Sequence, residues 1–155
     1  MEAARLATSA DVPRLAELFA EASAELAPTR GGAVFLAREI ESDPPPPGDE
    51  GRPVWVGTLD EFAVGYAAAH VEQLRDGMIL GVIDHLFVEE GARDVGVGEA
   101  LMDELLGWFR SRDCDAVDAI ALPGNRQTKN FFETAGFSAR LIVMHHKLRS
   151  DDSAT

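Results

Sequence analysis

The 155-residue chain lacks the sequence features that are typical of secreted, membrane and metal-binding proteins. Its one cysteine, Cys114, cannot form an internal disulfide, which fits a reducing compartment, so we expect a cytoplasmic protein. No run of about 18 apolar residues occurs, so we expect no membrane span. Residues 1–5 lack the long apolar stretch of a signal peptide. No metal-ligand spacing of histidine and cysteine is present, and we expect no metal.

Positive charge is also scarce, with 27 acidic residues against 14 basic ones and a net charge of −13. Phosphate repulsion would oppose encounter with a nucleic acid, so we expect no nucleic-acid partner. The charge is compatible with a cationic substrate such as an amine, although the acids could equally serve to solvate the surface. The length suits one domain with one core over residues 1–155.

Hydrophobic periodicity predicts an α/β domain, α+β by strict classification, with a mixed and mostly antiparallel sheet of about six strands flanked by about four helices. The predicted strands are 4–7, 54–57, 62–74, 79–88, 116–122 and 138–147. The predicted helices are 11–26, 34–41, 97–112 and 125–135. Four consecutive prolines place a surface loop at 43–53, because proline disrupts both helices and central strands.

A glycine-bearing turn, Arg-Asp-Val-Gly-Val-Gly at 93–98, joins the strand 79–88 to the helix that starts near residue 97. Gly96 and Gly98 let a ligand approach the backbone closely. The helix start offers unpaired N–H groups and the positive end of the helix dipole, which together suit a pyrophosphate. A Rossmann dinucleotide site is the competitor, but it needs a third glycine where this chain has Leu101.

Val88, followed five residues later by Arg-x-x-Gly-x-Gly, resembles the acyl-CoA-binding signature of the GNAT N-acetyltransferase superfamily. The order of predicted elements is also similar to that fold, and the last helix with its flanks, 125–137, resembles the family's pattern. The resemblance implies acetyl-CoA as cosubstrate. It implies that the residues contacting it are Leu86, Phe87, Val88, Arg93, Asp94, Val95, Gly96, Val97, Gly98, Asn125, Lys129 and Phe132. The activity it implies is transfer of an acetyl group to a primary amine, on a small molecule or a protein, by direct attack within a ternary complex.

Asp84 stands four residues before Val88, where family members often place the carboxylate that removes the amine proton. On an alternating strand Asp84 shares a face with Leu86 and Val88, and partial desolvation there raises the pKa of its carboxyl. The alternative is that Asp84 caps a loop or pairs with an arginine. His85, with a reference pKa of about 6.5, is a rival base, but alternation points it to the other face.

Other candidates complete the predicted site. Glu72 and His70 on the preceding strand could line the cleft. The resemblance implies that the backbone N–H of Val88 is the oxyanion donor, and that Arg126 or Lys129 reaches a phosphate.

The chain departs from the family pattern at Phe132, where the family usually has a tyrosine that protonates the leaving thiolate. The only tyrosine, Tyr66, lies on the predicted strand 62–74. Three readings stay open. The thiolate leaves unassisted, or water or another side chain supplies the proton, or the protein is a non-catalytic acyl-CoA-binding module that acts as a sensor or partner subunit. A free edge on the last strand could pair with another copy, which favours a homodimer.

Overall fold

In the part of the chain that the structure describes, five strands form one sheet in the order β1-β2-β3-β4-β5. The computed structural model describes residues 1–38 and 45–149, with β1 at Glu2–Leu6, β2 at Val54–Leu59, β3 at Phe62–Gln73, β4 at Ile79–Val88 and β5 at Ala116–Ala119. The first four strands pair antiparallel, and β5 runs parallel to β4. The mixed, mostly antiparallel sheet is therefore confirmed.

Four α-helices flank this sheet in the described part of the chain: α1 (Val12–Leu26), α2 (Gly32–Arg38), α3 (Val97–Ser111) and α4 (Arg126–Thr134). A short 3-10 turn leads into α1, where Thr8 and Asp11 form a reciprocal capping box. Leu15 and Leu18 of α1 are fully buried against one face of the sheet. Leu101 and Leu105 of α3 are buried against the other face, so the sheet lies between two apolar layers.

Two glycines of the sheet let α3 lie directly on the backbone. A Cβ at Gly81 would stand 2.5 Å from Cδ1 of Phe109, and one at Gly57 would stand 2.6 Å from Cγ1 of Val97. Phe109 and Val97 occupy the space that a Cβ would fill at these two glycines. Helix α3 therefore packs directly against the backbone of β2 and β4, which fixes its position on the sheet. This contact sets the place of the turn that precedes α3.

The sheet opens between β4 and β5. The parallel ladder runs from Leu80 opposite Ala116 to Ile83 opposite Ala119, and it ends there although β4 continues to Val88. The second half of β4 therefore has β3 on one side and an open edge on the other. This opening is where the candidate site lies.

The predicted sixth strand, 138–147, is wrong. Residues 138–149 follow α4 without strand pairing, and four consecutive side chains, Leu141 to Met144, are 69–88% exposed. An apolar run forms a strand only where a neighbouring edge accepts its backbone groups, and β5 is four residues long. β5 also ends at Ala119 rather than at residue 122.

The remaining differences concern loops. Residues 45–53 form irregular turns, as expected for the proline-rich segment, whereas its residues 43–44 and the predicted helical residues 39–41 lie outside the described residues.

Across residues 1–38 and 45–149, none of the helices is both long and apolar enough to cross a membrane.

Candidate active site

A cleft of about 720 Å³ lies along the open edge of β4, within the size range of cofactor pockets. Its walls come from α1, the loop at 45–52, β3, β4, the turn before α3 and α4. The predicted site residues that line it are Asp84, His85, Leu86, Phe87, Val88, Arg93, Asp94, Gly98, Asn125 and Phe132. Val95, Gly96, Val97 and Lys129 are not among the lining residues. The sequence thus identified most of one wall of the cleft.

A β-bulge determines where Asp84 points. Ala68 pairs with His85 and Ala69 pairs with Ile83, so Asp84 is an extra residue of β4 that falls between two successive pairs of the β3–β4 ladder. Such a bulge re-aims the side chains around it. Asp84 and His85 consequently both lie on the face covered by α1, where they contact side chains of β3.

The predicted face of Asp84 is therefore wrong, whereas His85 lies opposite Leu86 and Val88 as alternation predicted. Leu86 and Val88 pack on the α3 face of the sheet, so Asp84 does not share their side, and His85 is not opposite Asp84. The physical reason is the bulge, because one inserted residue shifts the alternation of every side chain on one side of it.

Asp84 forms a hydrogen-bonded chain with His70 and Glu72 of β3. Nδ1 of His70 lies 2.7 Å from Oδ2 of Asp84, and Nε2 of His70 lies 2.8 Å from Oε2 of Glu72. Burial by itself lowers the pKa of His70, but the hydrogen bonds to the two carboxylates outweigh it and raise the pKa above its ordinary value of 6.5. A protonated imidazole can donate to both carboxylates at once, which holds the side chain of Asp84 in place.

His85 forms a second polar pair, with the chain's only tyrosine. Nδ1 of His85 lies 3.1 Å from the hydroxyl of Tyr66, and the two rings lie 5.5 Å apart. Phe19 of α1 packs against the other side of the imidazole, with ring centroids 5.9 Å apart. Tyr66 is 1% exposed overall, yet it lines the cleft together with His85.

The backbone of Val88 faces the open edge. The N–H of Glu89 donates to the carbonyl of Val64 at 2.8 Å, so the adjoining pair of Gly65 and Val88 is the non-hydrogen-bonded kind. The N–H and C=O of Val88 therefore point away from β3. Its carbonyl accepts from Nε of Arg93 at 2.8 Å. The N–H is directed into the opening, as an oxyanion donor requires.

The turn before α3 has the backbone of an anion site. Asp94 has a φ of 67° and Gly96 a φ of 96°, both in the left-handed region. The first bond of the helix runs from the N–H of Ala100 to the carbonyl of Gly96, so the N–H groups of residues 97–99 have no helical acceptor. Left-handed residues at 94 and 96, followed by the start of a helix, create a concave group of backbone N–H donors. Such a group is suited to bind a phosphate.

The guanidinium of Arg93 makes contacts within the protein that the sequence did not predict. Nη2 lies 2.9 and 2.7 Å from the two carboxylate oxygens of Glu25 on α1, and Nη1 lies 3.3 Å from Oε1 of Gln127. Together with its bond to Val88, this arginine ties α1 and α4 to the end of β4. Glu25 was missed because nothing local in the sequence connects residues 68 positions apart. A phosphate contact of Arg93 stays a prediction.

Helix α4 places Asn125 and Phe132 at the cleft and Lys129 away from it. Oδ1 of Asn125 caps the helix by accepting from the N–H of Thr128 at 3.2 Å. Lys129 is 56% exposed and pairs with Glu133 at 3.4 Å. Phe132 is 6% exposed and belongs to the core that α3 shares with the sheet. The residue at the family's tyrosine position is thus a packed hydrocarbon ring.

Within the described ranges, no group of three or more histidine, cysteine, aspartate or glutamate side chains is arranged to hold a metal ion.

Comparison with known proteins agrees with this geometry. Residues 13–137 match the acetyltransferase (GNAT) family. A solved Trypanosoma brucei acetyltransferase is 23% identical, with a TM-score of 0.67 and coverage of 96% of this chain and 100% of that one. A ribosomal-protein-alanine N-acetyltransferase from Brucella melitensis biovar Abortus is 18% identical, with a TM-score of 0.70 and coverage of 96% and 100%.

A third solved structure, of AAC(6')-Iy with the bisubstrate analog CoA-S-monomethyl-acetylneamine, is 18% identical, with a TM-score of 0.68 and coverage of 97% and 99%. A comparison with curated proteins gave no match. The family match covers most of the chain, and the neighbours share its fold. The chain therefore belongs to the GNAT family of acetyltransferases.

Proposed function

We propose that this protein transfers the acetyl group of acetyl-CoA to a primary amine, by direct attack of the amine within a ternary complex in the cleft. The observation that carries the proposal is the open edge of β4 beyond Ile83, which leads from Asp84 to the anion-binding turn before α3. The two ends of this edge offer the two kinds of group that such a reaction needs, a proton acceptor and a phosphate site.

The cosubstrate would bind at the end of the cleft that is formed by the turn before α3. The N–H groups of residues 97–99 would hold the pyrophosphate of CoA. The open edge of β4 can accept the amides of the pantetheine arm in the way that a sheet accepts another strand. The N–H of Val88 would then donate to the thioester carbonyl as its oxygen gains negative charge during attack. Each of these groups belongs to the backbone, so the fold itself supplies them.

The acceptor amine would bind in the part of the cleft beside the middle of β4. The attacking nitrogen must first be a neutral amine, because an ammonium has no lone pair; it then forms a C–N bond to the acetyl carbon as the C–S bond breaks, and it loses one proton. Asp84 would accept that proton, directly or through a water molecule. His70 would keep the carboxylate aimed at the cleft, because its other ring nitrogen is fixed by Glu72. Glu72 is half exposed, which gives this hydrogen-bonded chain a route to solvent.

The leaving group needs no acid from the position of Phe132. A thiol with a pKa of about 8.5 departs as thiolate far more readily than an amine does, and it can take its proton from water afterwards. A second proton source is Tyr66, which lines the cleft and whose hydroxyl is hydrogen-bonded to His85. We propose unassisted departure as the main route.

Charge in the cleft favours a cationic acceptor. Acidic side chains outnumber basic ones among its lining residues: Glu25, Asp49, Glu72, Asp84, Asp94 and Glu99 against Arg52, Arg93, His70 and His85. The names of two structural neighbours suggest acceptors to test: an alanine at a protein N-terminus, and an aminoglycoside of the neamine type. Both carry amines that are protonated in solution and would be attracted to these carboxylates.

The alternative is a non-catalytic acyl-CoA-binding module, a sensor or a partner subunit. The observation that favours it is Phe132, which offers no proton at the position where the family usually has a tyrosine. This alternative predicts tight acetyl-CoA binding and no turnover.

The experiment that separates the two is chromatographic measurement of CoA released from acetyl-CoA at pH 8. The acceptor panel contains an alanine-terminated peptide, neamine, a polyamine, free amino acids and a lysine peptide. The proposed transferase releases CoA and forms one acetylated amine per CoA. Tight acetyl-CoA binding by calorimetry without amine-dependent release from any acceptor would favour the binding module.

A further inference from the structure

The side chain of Arg93 joins three walls of the cleft. Its Nε donates to the carbonyl of Val88 at 2.8 Å, at the end of β4. Its Nη2 lies 2.9 and 2.7 Å from the two carboxylate oxygens of Glu25 on α1. Its Nη1 lies 3.3 Å from Oε1 of Gln127 on α4. The Arg93 clamp is the set formed by Arg93, Val88, Glu25 and Gln127.

The contacts inside the clamp leave Arg93 little capacity for a phosphate. A guanidinium has five N–H donors on three nitrogen atoms, and all three nitrogens are engaged. The charge of the guanidinium is balanced by the carboxylate of Glu25. A phosphate of CoA would therefore have to compete with Glu25. The backbone N–H groups of residues 97–99 can bind a pyrophosphate without this side chain.

The contact with Val88 supports β4 where β5 does not. Beyond Ile83 the β4–β5 ladder has ended. The peptide group between Val88 and Glu89 is held from the β3 side, because the N–H of Glu89 donates to the carbonyl of Val64 at 2.8 Å. Arg93 holds the same peptide group from the open side through the carbonyl of Val88. Both polar atoms of this peptide group are thus fixed, which restricts the backbone of Val88 and the direction of its N–H.

Glu25 and Gln127 hold the guanidinium in one orientation. A free arginine side chain has many rotamers, and charge-assisted hydrogen bonds are what reduce them to one. The side chain of Arg93 is 22% exposed, so these bonds are shielded from much of the solvent. Arg93 also directly precedes Asp94, the first left-handed residue of the turn before α3. The clamp therefore connects the proposed pyrophosphate site with the N–H of Val88.

We infer that Arg93 is a positioning residue, which aims the N–H of Val88 at the thioester oxygen with Glu25 as its partner and which does not bind a phosphate of CoA. The inference rests on the proposed transfer reaction and on the role of Val88 in it. Damage to the clamp should misdirect a donor that acts in the transition state. It should therefore lower kcat and leave the affinity for acetyl-CoA nearly unchanged.

Arg93→Lys tests the geometry of the clamp at constant charge. Lysine keeps the positive charge but lacks the planar fork that reaches three partners. In amine-dependent CoA release at saturating substrates, kcat should fall by about 10- to 100-fold. The Kd for acetyl-CoA, measured by calorimetry, should change by less than about 2-fold. The matched control is Arg110→Lys at an exposed arginine of α3, which should equal wild type in both quantities.

Glu25→Gln separates positioning from phosphate binding, because the two roles predict different results. The variant keeps Arg93 and releases its guanidinium from the carboxylate. A positioning role predicts a lower kcat with a similar Kd for acetyl-CoA, and a double variant with Arg93→Lys that is no slower than Arg93→Lys alone. A phosphate-binding role predicts an unchanged kcat and an affinity for acetyl-CoA that rises by about 5-fold or more. That second result would overturn the inference.

Folding can be checked separately, since the side chain of Glu25 is 43% exposed and its loss opens no cavity. Thermal unfolding of Glu25→Gln should show a cooperative transition like that of wild type. A kcat equal to that of wild type in both Arg93→Lys and Glu25→Gln would overturn the inference as well.

A spectroscopic readout tests the clamp without any turnover. In a three-dimensional HNCO spectrum the amide of Glu89 reports the carbonyl carbon of Val88. That carbon should move upfield in Arg93→Lys, because its carbonyl loses a hydrogen bond. Acetyl-CoA should shift the amide proton of Val88 downfield in wild type, and by less in Arg93→Lys. Equal shifts in the two proteins would overturn the inference, whereas absence of amine-dependent CoA release from wild type would contradict only the proposed function.

Discussion

Replacing Gly96 by alanine tests whether the turn before α3 depends on left-handed backbone. Gly96 has a φ of 96°, a conformation in which a Cβ costs about 1–2 kcal/mol. A steric clash of the added Cβ adds little to this penalty. The nearest atom to an added Cβ is Cγ of Glu2 at 2.9 Å, and that side chain is exposed and can move. The expected total penalty is therefore about 1–2 kcal/mol, from the backbone alone.

This penalty can lower either of two measured quantities, the free energy of unfolding or the affinity for acetyl-CoA. If alanine keeps the turn in its present conformation, the free energy of unfolding falls by about 1–2 kcal/mol and the affinity for acetyl-CoA stays the same. If the turn relaxes to avoid the strain, stability is retained. Binding must then restore the conformation, and the Kd for acetyl-CoA rises by about 5- to 30-fold. The loss of unfolding free energy and the loss of binding free energy should together equal the backbone penalty of about 1–2 kcal/mol, because both come from the strained turn.

Gly107→Ala is the matched control. Gly107 is an exposed glycine inside α3, and an added Cβ there would meet no atom within 4 Å. Alanine should raise the free energy of unfolding by about 0.5–1 kcal/mol, since it suits a helix better than glycine does. Urea denaturation and calorimetric titration with acetyl-CoA give both quantities for both variants. A Gly96→Ala protein that equals wild type in stability and in affinity would refute the assignment of this turn as a strained anion site.

Three further predictions follow from single side chains. His70→Asn should lower stability most below pH 6.5 and progressively less as the pH rises through the raised pKa of His70, because the imidazolium bonds to Asp84 exist only below it; urea denaturation at pH 5.5 and 9 measures this. Asp11→Asn should cost about 1–2 kcal/mol near pH 7, since Asp11 is bonded to Arg5 and caps a helix. Its Arg5 partner keeps the pKa of the Asp11 carboxyl below its usual value, so the difference should disappear only in acid below pH 3.8, as thermal unfolding against pH would show. Phe132→Tyr should change kcat by far less than the ~100-fold that a general acid supplies, and a gain of that size would show that thiolate protonation limits the wild type.

Local patterns in the sequence predicted the part of the fold that carries the turn. β4 spans Ile79–Val88 and α3 begins at Val97, as periodicity indicated, because both elements bury a regular apolar pattern. The glycines at 96 and 98 likewise stand where the chain turns and α4 approaches, with Phe131 3.1 Å from a Cβ built at Gly98. Such features depend on neighbours in sequence, so sequence is enough to find them.

The acid–base geometry could not be predicted in the same way. The face on which Asp84 lies is set by a bulge, and the bulge exists only in the pairing of β3 with β4. The His70 contact follows from that register, and the bond of Arg93 to Glu25 joins α1 to a turn far along the chain. Periodicity also predicted a strand at 138–147, because it reports apolar pattern and not whether an edge is available.

The most direct test of the central claim compares Asp84→Asn with Asp103→Asn in amine-dependent CoA release at pH 8. Asp103 is an exposed acid on α3, so its variant controls for the loss of one negative charge. If Asp84 accepts the amine proton, Asp84→Asn should lower kcat by about 100-fold or more while the Kd for acetyl-CoA changes little. Asp103→Asn should match wild type. Full turnover by Asp84→Asn with the same acceptor would contradict the account.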